Sequence, residues 1–379
     1  MNFSPTKEQL MVRKMIKQFA HNEMKPIAQL TDEEARYPQE TIDKLGKLGV
    51  MGMPMPKEYG GAESDYVAYA GAIEELSKVC SSTGLIVQTH VALCCWPILT
   101  FGTQEQKRKY LPDLVAGRKL GAFALTEANA GTDAAGLQTK AVDMGDHWVL
   151  NGTKAFLSAA GIADVYIVMA MTDKSKGTKG ISAFIIEKGT PGFNRGKKED
   201  KMGIRGSLMA EQIIKDCIIP KENLLGEVGK GFKVAMASLD VGRLGVACQA
   251  LGIAQGAFDE TVKYMKSRKQ FGKSLDKFQA LAFEMADMKT RLDCTRLLIL
   301  NAADRRDKGL PCTTETAEAK LYASETAVYV TNKAVQFHGG YGYTKDYPVE
   351  RMMRDAKITE IYEGTSEVMR MVISGDIFR

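Results

Sequence analysis

Apolar residues recur at intervals of three and four along the first 118 positions, as in Leu10, Ile16 and Phe19 and later Val67, Ala70, Ile73 and Leu76, the spacing of one buried helix face. Thr103 ahead of Gln104-Glu105-Gln106 predicts a helix start with a hydroxyl cap and an early acid. Near residue 120 the pattern changes. The runs 120–125, 147–150, 165–171 and 181–186 are short, rich in β-formers and separated by Gly, Asn, Asp and Lys, which predicts strands and turns. From Gly231 the helical period returns in longer stretches, 232–265, 278–306 and 314–335, broken by Gly339-Gly340-Tyr341-Gly342. The expected organisation is a helical domain over 1–118, a β domain over 119–230 and a helical domain over 231–379, with no internal repeat.

Composition narrows the class. The 379 residues suffice for two or three folded units at about 150 residues each. The 45% hydrophobic and 26% charged content is that of an ordinary folded protein. Lys plus Arg number 51 and Asp plus Glu 46, and a net charge of +5 gives no general case for nucleic-acid binding. The seven cysteines form no C-x-x-C pair and no metal-type grouping with the four histidines, so reduced thiols and no metal are expected. The most apolar stretch, 84–99, is interrupted by Gln88, Thr89 and His90 and is shorter than the ~20 residues of a membrane span, so it is expected to be a buried helix. The first residues lack a basic segment followed by an apolar one, and a cytoplasmic location is expected. No phosphate loop of the G-x-x-x-x-G-K-[ST] type, H-E-x-x-H or G-x-S-x-G is present, and the Gly-rich stretches at 226–231 and 339–342 lack the strand–turn–helix setting of a nicotinamide site.

Four ordered motifs carry more. Phe123-Ala124-Leu125-Thr126-Glu127-Ala128-Asn129-Ala130-Gly131-Thr132-Asp133 ends a predicted strand in a turn of small residues whose amides can face an anion. Arg268-Lys269-Gln270-Phe271-Gly272 and Phe278-Gln279 follow, then the long segment 347–367, which contains Ile361-Tyr362-Glu363-Gly364-Thr365. In this order they closely resemble the signature regions of the flavin-dependent acyl-CoA dehydrogenases, over essentially the whole chain and nearest to the short-chain, butyryl-CoA members. The resemblance implies an α+β fold: an N-terminal helical domain, a middle β-sandwich or barrel and a C-terminal four-helix bundle. It also implies a homotetramer with one FAD per subunit that passes electrons to an electron-transfer flavoprotein.

By the same resemblance Glu363 is the base that removes the α-proton of a short acyl-CoA thioester while the β-hydrogen leaves as hydride to flavin N5. A thioester α-carbon is a weak acid, so such a base needs a dehydrated pocket, and the developing enolate needs donors, here the Glu363 backbone N–H and a flavin hydroxyl. FAD contacts carry over to Phe123, Leu125, Thr126, Gly131 and Thr132, then to Phe156 and Ser158 beside the ring. Ser158-Ala159-Ala160 replaces the family's usual Thr-Asn-Gly. Arg268, Gln270, Phe271 and Gln279 would reach the ADP half of a neighbouring subunit's FAD, with Gln336, Gly339 and Gly340 along its pyrophosphate and Thr365 and Glu367 on the adenosine side. Thr132, Asp240, Arg243 and Gly364 would surround the CoA moiety, and Gln249 and Thr359 would floor a short acyl channel.

Taken singly, several of these residues have plainer readings. Glu363 fits an exposed acid in the first turn of a helix, stabilised by its dipole. Arg268 fits a solvated cation, Arg243 a structural ion pair with Asp240, and Gln249 a packing residue. Basic segments 174–179 and 195–198 fit either solvated turns or steering of CoA phosphates. The alternatives at the level of function are a dehydrogenase of branched or other short-acyl preference, a DNA-associated protein of the same fold, a CoA-thioester binder without chemistry, and an oxidase that reacts with O₂. Either desaturation or enoyl reduction is open, because the same groups serve both.

Overall fold

A computed structural model describes residues 4–379, with helices up to Val115, strands from Gly121 to Leu225, and helices again from Gly231. The first helix, Lys7–Phe19, is closed at its N-terminus by a Thr6–Gln9 capping box, in which each residue satisfies a backbone amide of the other. Its Ile16 is buried, but Leu10 is 51% exposed, so the apolar face inferred from sequence is only partly a core face. Tyr66–Val79 buries Tyr69, Ile73 and Leu76, and its N-cap Asp65 accepts from the Ala68 amide at 2.6 Å. The expected cap at Thr103 is present as a second capping box, with Gln106 heading Gln104–Val115.

The apolar stretch expected as a buried helix is one, and it is longer than the sequence suggested. Ser81–Phe101 is continuous over 21 residues, long and apolar enough to cross a membrane, but mostly buried inside the fold, as is Gly231–Ser267. Its centre, His90–Cys95, is π-helical, a distortion that tends to mark functional sites.

Eight strands hydrogen-bond into one sheet in the order Phe193–Lys198, Met209–Pro220, His147–Ser158, Lys140–Asp143, Val165–Met171, Ile181–Glu187, Leu224–Leu225, with Gly121–Ala124 parallel to Val165–Met171. The two 12-residue strands pair antiparallel with register shifts near Leu150 and Lys154, bulges that bend and twist the sheet. Val165–Met171 and Ile181–Glu187 are buried on both faces and were legible as apolar runs. Segment 195–198, expected as a turn, is instead part of the edge strand Phe193–Lys198, whose lysines blunt an exposed edge.

The C-terminal helices Gly231–Ser267, Gln279–Asp307 and Thr313–His338 are followed by Val349–Lys357 and Ser366–Ile377. Side chains tie the three domains at fixed points. Buried Asp355 accepts from the Ile204 amide at 2.5 Å, and Arg354 bridges Asp32 at 2.6 Å and Glu350 at 2.8 Å. Gln106 Nε2 donates to the Glu222 and Leu224 carbonyls at 2.7 and 2.8 Å.

Candidate active site

Glu363 lies two residues before Thr365, whose hydroxyl caps Ser366–Ile377 by accepting from the Val368 amide at 3.3 Å. It therefore precedes the helix, and the reading as an exposed first-turn acid fails. Its backbone is left-handed, at φ 51°, and Gly364 continues the turn at φ 102°. A non-glycine residue in this region is strained, and here the strain turns the side chain inward. Oε1 accepts from Gln88 Nε2 at 2.9 Å, while Oε2 is out of reach of solvent with no hydrogen-bond partner. Burial holds the carboxyl up at about 7, against the opposing pull of the Gln88 hydrogen bond and of the Lys320 and Arg243 charges.

Two cations from different helices fix the turn. Fully buried Lys320, on Thr313–His338, donates to the Gly364 carbonyl at 2.5 Å, and Arg243, on Gly231–Ser267, approaches the Glu363 carbonyl at 3.4 Å. Burial depresses Lys320 to about 8. Arg243 also makes the ion pair with Asp240, Nη1 to Oδ1 at 2.7 Å, and Asp240 Oδ2 accepts from Thr313 at 2.7 Å.

The carboxylate faces apolar surface. Gly242 and Leu93 flank Oε2, and Leu93 packs in a buried cluster with Ala92 and Val241, against which Phe123, Tyr66, Trp96 and Leu239 lie. The strand carrying Phe123 is thereby set beside the π-helical segment. The Gly121 amide donates to His90 Nδ1 at 2.9 Å, so the other ring nitrogen carries the proton toward the Leu114 carbonyl at 3.0 Å. A side chain on Gly121 would run into Cys94. Burial drives His90 down to about 4, which keeps it neutral.

Past this strand, Thr126 is half-buried and Ala128 to Asp133 are exposed apart from Ala130. The turn is closed by paired Glu127 and Ala130 backbones and anchored from beneath. Fully buried Lys154 donates to Glu127 at 2.7 Å and to the Leu125 carbonyl at 3.0 Å, and Glu127 accepts the Gln138 and Thr139 amides at 2.6 and 3.0 Å. Phe156, left-handed at φ 53°, presents a 58% exposed ring, and Ser158 is half-buried. Ala159, in the segment that departs from the family pattern, adopts φ 62°, a conformation that costs alanine roughly 1–2 kcal/mol and that Asn or Gly reaches more easily.

The remaining expected cofactor residues form a second group. Arg268, Gln270, Phe271, Gln279, Gln336, Gly339 and Gly340 are all exposed, Phe271 at 93%. The Arg268 guanidinium lies 5.8 Å above the Tyr341 ring, which sets the Lys269–Ser274 hairpin beside the Gly339–Tyr343 turn. Among the described residues no hydrogen bond, ion pair or ring contact joins this group to the Phe123–Ser158 group. Gln249 and Thr359 are fully buried. Gln249 donates to the Ser81 carbonyl and hydroxyl at 3.1 and 2.9 Å and accepts from the Tyr362 hydroxyl, and Thr359 donates to the Ala356 carbonyl at 2.6 Å.

Models of the acyl-CoA dehydrogenase N-terminal, middle and C-terminal domains match residues 6–118, 122–217 and 229–378. The chain belongs to the acyl-CoA dehydrogenase family. It is 58% identical over 379 residues to the short-chain specific acyl-CoA dehydrogenase of Clostridium acetobutylicum, with both chains covered in full. It superposes on the butyryl-CoA dehydrogenase of Megasphaera elsdenii with a TM-score of 0.99 at 50% identity, covering 100% of each chain. It matches equally, at a TM-score of 0.99 and 52% identity over 100% of each, a chain solved in work on the electron transferring flavoprotein of Acidaminococcus fermentans. As an acyl-CoA dehydrogenase the protein is an FAD-dependent oxidoreductase. The residues present fit that cofactor: a turn of small residues with exposed backbone for phosphates, and an exposed aromatic with a neighbouring hydroxyl for a flavin ring.

Sequence reasoning missed Gln88, Gly242, Lys320 and the Glu127–Lys154 pair. Gln88 had a signal, as a polar break in an apolar run, and Lys320 had one as a lysine among alanines on a buried helix face. Gly242 had none.

Proposed function

We propose that the protein interconverts short-chain acyl-CoA thioesters, butyryl-CoA in particular, and their α,β-unsaturated counterparts, with Glu363 as the proton-transferring group. The observation that carries this is a carboxylate with one oxygen unpartnered and out of solvent, held near neutrality beside Gly242 and Leu93. A carboxylate poised near 7 takes a proton from a weak carbon acid far better than one at ~4.3 and still releases it at neutral pH. The left-handed Glu363–Gly364 turn has its two carbonyls bonded on the Arg243 and Lys320 side. Among the described residues the Glu363 amide has no hydrogen-bond partner, and it is free to meet the thioester oxygen as charge develops on it. Bound FAD supplies the acceptor for the β-hydrogen.

In this reading the Phe123–Thr132 turn with Phe156 and Ser158 holds the FAD of its own subunit. The exposed group around Arg268, Phe271, Gln279, Gln336 and Gly340, with Thr365 and Glu367, reaches the FAD of another, so each site is completed only in an oligomer, the homotetramer that the family implies. Thr132, Asp240, Arg243 and Gly364 lie along the CoA moiety. Electrons pass to an electron-transfer flavoprotein in the cytoplasm. The test is the visible spectrum of the purified yellow protein on anaerobic addition of butyryl-CoA. The colour is expected to bleach in the parent and to persist in a flavin-loaded Glu363→Gln variant. Bleaching of that variant at the parent rate overturns the assignment of the base.

A further inference from the structure

Glu363 presents two oxygens in different situations. Oε1 is bonded to Gln88, and Oε2 is bare. Gln88 lies on Ser81–Phe101, two residues before the π-helical segment, and is fully buried. Its own Oε1 is also buried without a partner, hard against Gly245, where any side chain would strike it. A buried amide that leaves its acceptor unpaired loses about 1–3 kcal/mol. The Gln88 amide is therefore spent on one contact, the donor to the Glu363 carboxylate.

We infer that Gln88 is a positioning residue that pins Oε1 of Glu363 and leaves Oε2 as the oxygen that exchanges the substrate α-proton. The inference rests on Glu363 being the base. In desaturation the α C–H bond breaks, its electron pair stays on the carbon, and the new O–H bond forms at Oε2; in enoyl reduction Oε2–H returns the proton. An amide suits this task because it donates to the carboxylate without a charge of its own. The other ionisable groups facing Glu363 are Arg243 on Gly231–Ser267, Lys320 on Thr313–His338, Tyr69 on Tyr66–Val79, and adjacent Tyr362. Arg243 is engaged with Asp240 and Lys320 with the Gly364 carbonyl, so among the described residues Gln88 is the one side chain hydrogen-bonded to the carboxylate.

The test compares flavin-loaded parent, Gln88→Met and Gln88→Glu proteins. Two readouts are followed against pH: kcat/KM with butyryl-CoA, and the infrared band of the protonated Glu363 carboxyl, identified by its loss in Glu363→Gln. Gln88→Met is expected to move both midpoints up by about one pH unit, since the hydrogen bond donated to the charged carboxylate is lost, and to cut the high-pH limit of kcat/KM about tenfold as orientation is lost. Gln88→Glu keeps the shape of the side chain. It places a second carboxyl beside the first, and is expected to raise the Glu363 midpoint further, because two adjacent carboxylates share a proton. Midpoints and limits that coincide with the parent in either folded variant overturn the inference. If Glu363→Gln turns over at the parent rate, the base assignment falls first. If Glu363→Gln is inactive and the Gln88 variants match the parent, the role of Gln88 alone falls.

Discussion

Gly242 stands directly against the Glu363 carboxylate, so close that a methyl group there would overlap Oε2. The two residues come from different elements, Gly231–Ser267 and the turn before Ser366–Ile377, and a glycine inside a 37-residue helix otherwise weakens it by about 1 kcal/mol relative to alanine. The empty position is what admits the carboxylate. Gly242→Ala displaces the end of a flexible side chain rather than backbone, so the melting temperature and flavin content are expected to stay close to the parent. A base moved by about 1 Å is expected to lose roughly 100-fold in kcat. Gly71→Ala is the control. It lies in Tyr66–Val79 with open space around its Cβ and is expected to leave turnover unchanged. Equal turnover in parent and Gly242→Ala would place the working carboxylate elsewhere.

The direction of reaction fixes the sign of the pH dependence. With Glu363 as the proposed base, desaturation needs its ionised form, and burial holds the carboxyl near 7. For the free enzyme, kcat/KM with butyryl-CoA is therefore expected to be flat above about pH 8 and to fall tenfold per unit below 7. Enoyl-CoA reduction needs the protonated form, and its kcat/KM is expected to fall as pH rises through the same midpoint. Measuring both directions on one preparation checks the assignment, because a single group must give mirror-image limbs.

The Lys154–Glu127 pair bears on the cofactor turn rather than on proton transfer. Lys154 is fully buried, and burial lowers it to about 8 even with Glu127 beside it. Removing one partner of such a pair leaves an uncompensated charge and costs about 3–5 kcal/mol. Two backbone amides still bond Glu127, so Lys154→Met is expected at the low end, about 3 kcal/mol. It also frees the Leu125 carbonyl at the start of the turn. Urea unfolding should register the stability loss, and equilibrium dialysis should show weakened retention of FAD. An unchanged urea midpoint would contradict the account of the anchor.

The order of helices and strands was legible because each domain keeps one hydrophobic period over tens of residues: 165–171 and 181–186 are buried on both faces, and 232–265 packs nearly all round. Edges were less legible. Segment 195–198 is polar and basic because it borders the sheet, and polar composition alone reads as a turn. Met209–Pro220 went unread because its polar and apolar residues do not follow its faces: Gln212 is buried, whereas Ile213 and Ile218 are exposed. Glu363 and Arg243 were singled out through motifs, whereas Gln88, Gly242 and Lys320 were not, because they lie 275, 121 and 43 residues from Glu363 in sequence and meet it only through helix packing. Asp240 and Arg243, read either as CoA contacts or as an ion pair, do form the pair.

Acyl-chain length tests the buried polar end of the site. Gln249 is held at both ends of its amide, by Ser81 through Nε2 and by the Tyr362 hydroxyl at Oε1, and Tyr362 adjoins Glu363 in sequence. An acyl chain that reached this network would have to break at least one of these buried hydrogen bonds, at about 1–3 kcal/mol each. Butyryl-CoA is therefore expected to exceed octanoyl-CoA in kcat/KM by about 10-fold or more. Gln249→Ala removes the obstruction but leaves the Tyr362 hydroxyl unpaired, so the ratio is expected to narrow while the melting temperature drops. A parent enzyme that prefers octanoyl-CoA, or a Gln249→Ala variant with an unchanged ratio, would show that this network does not end the acyl channel.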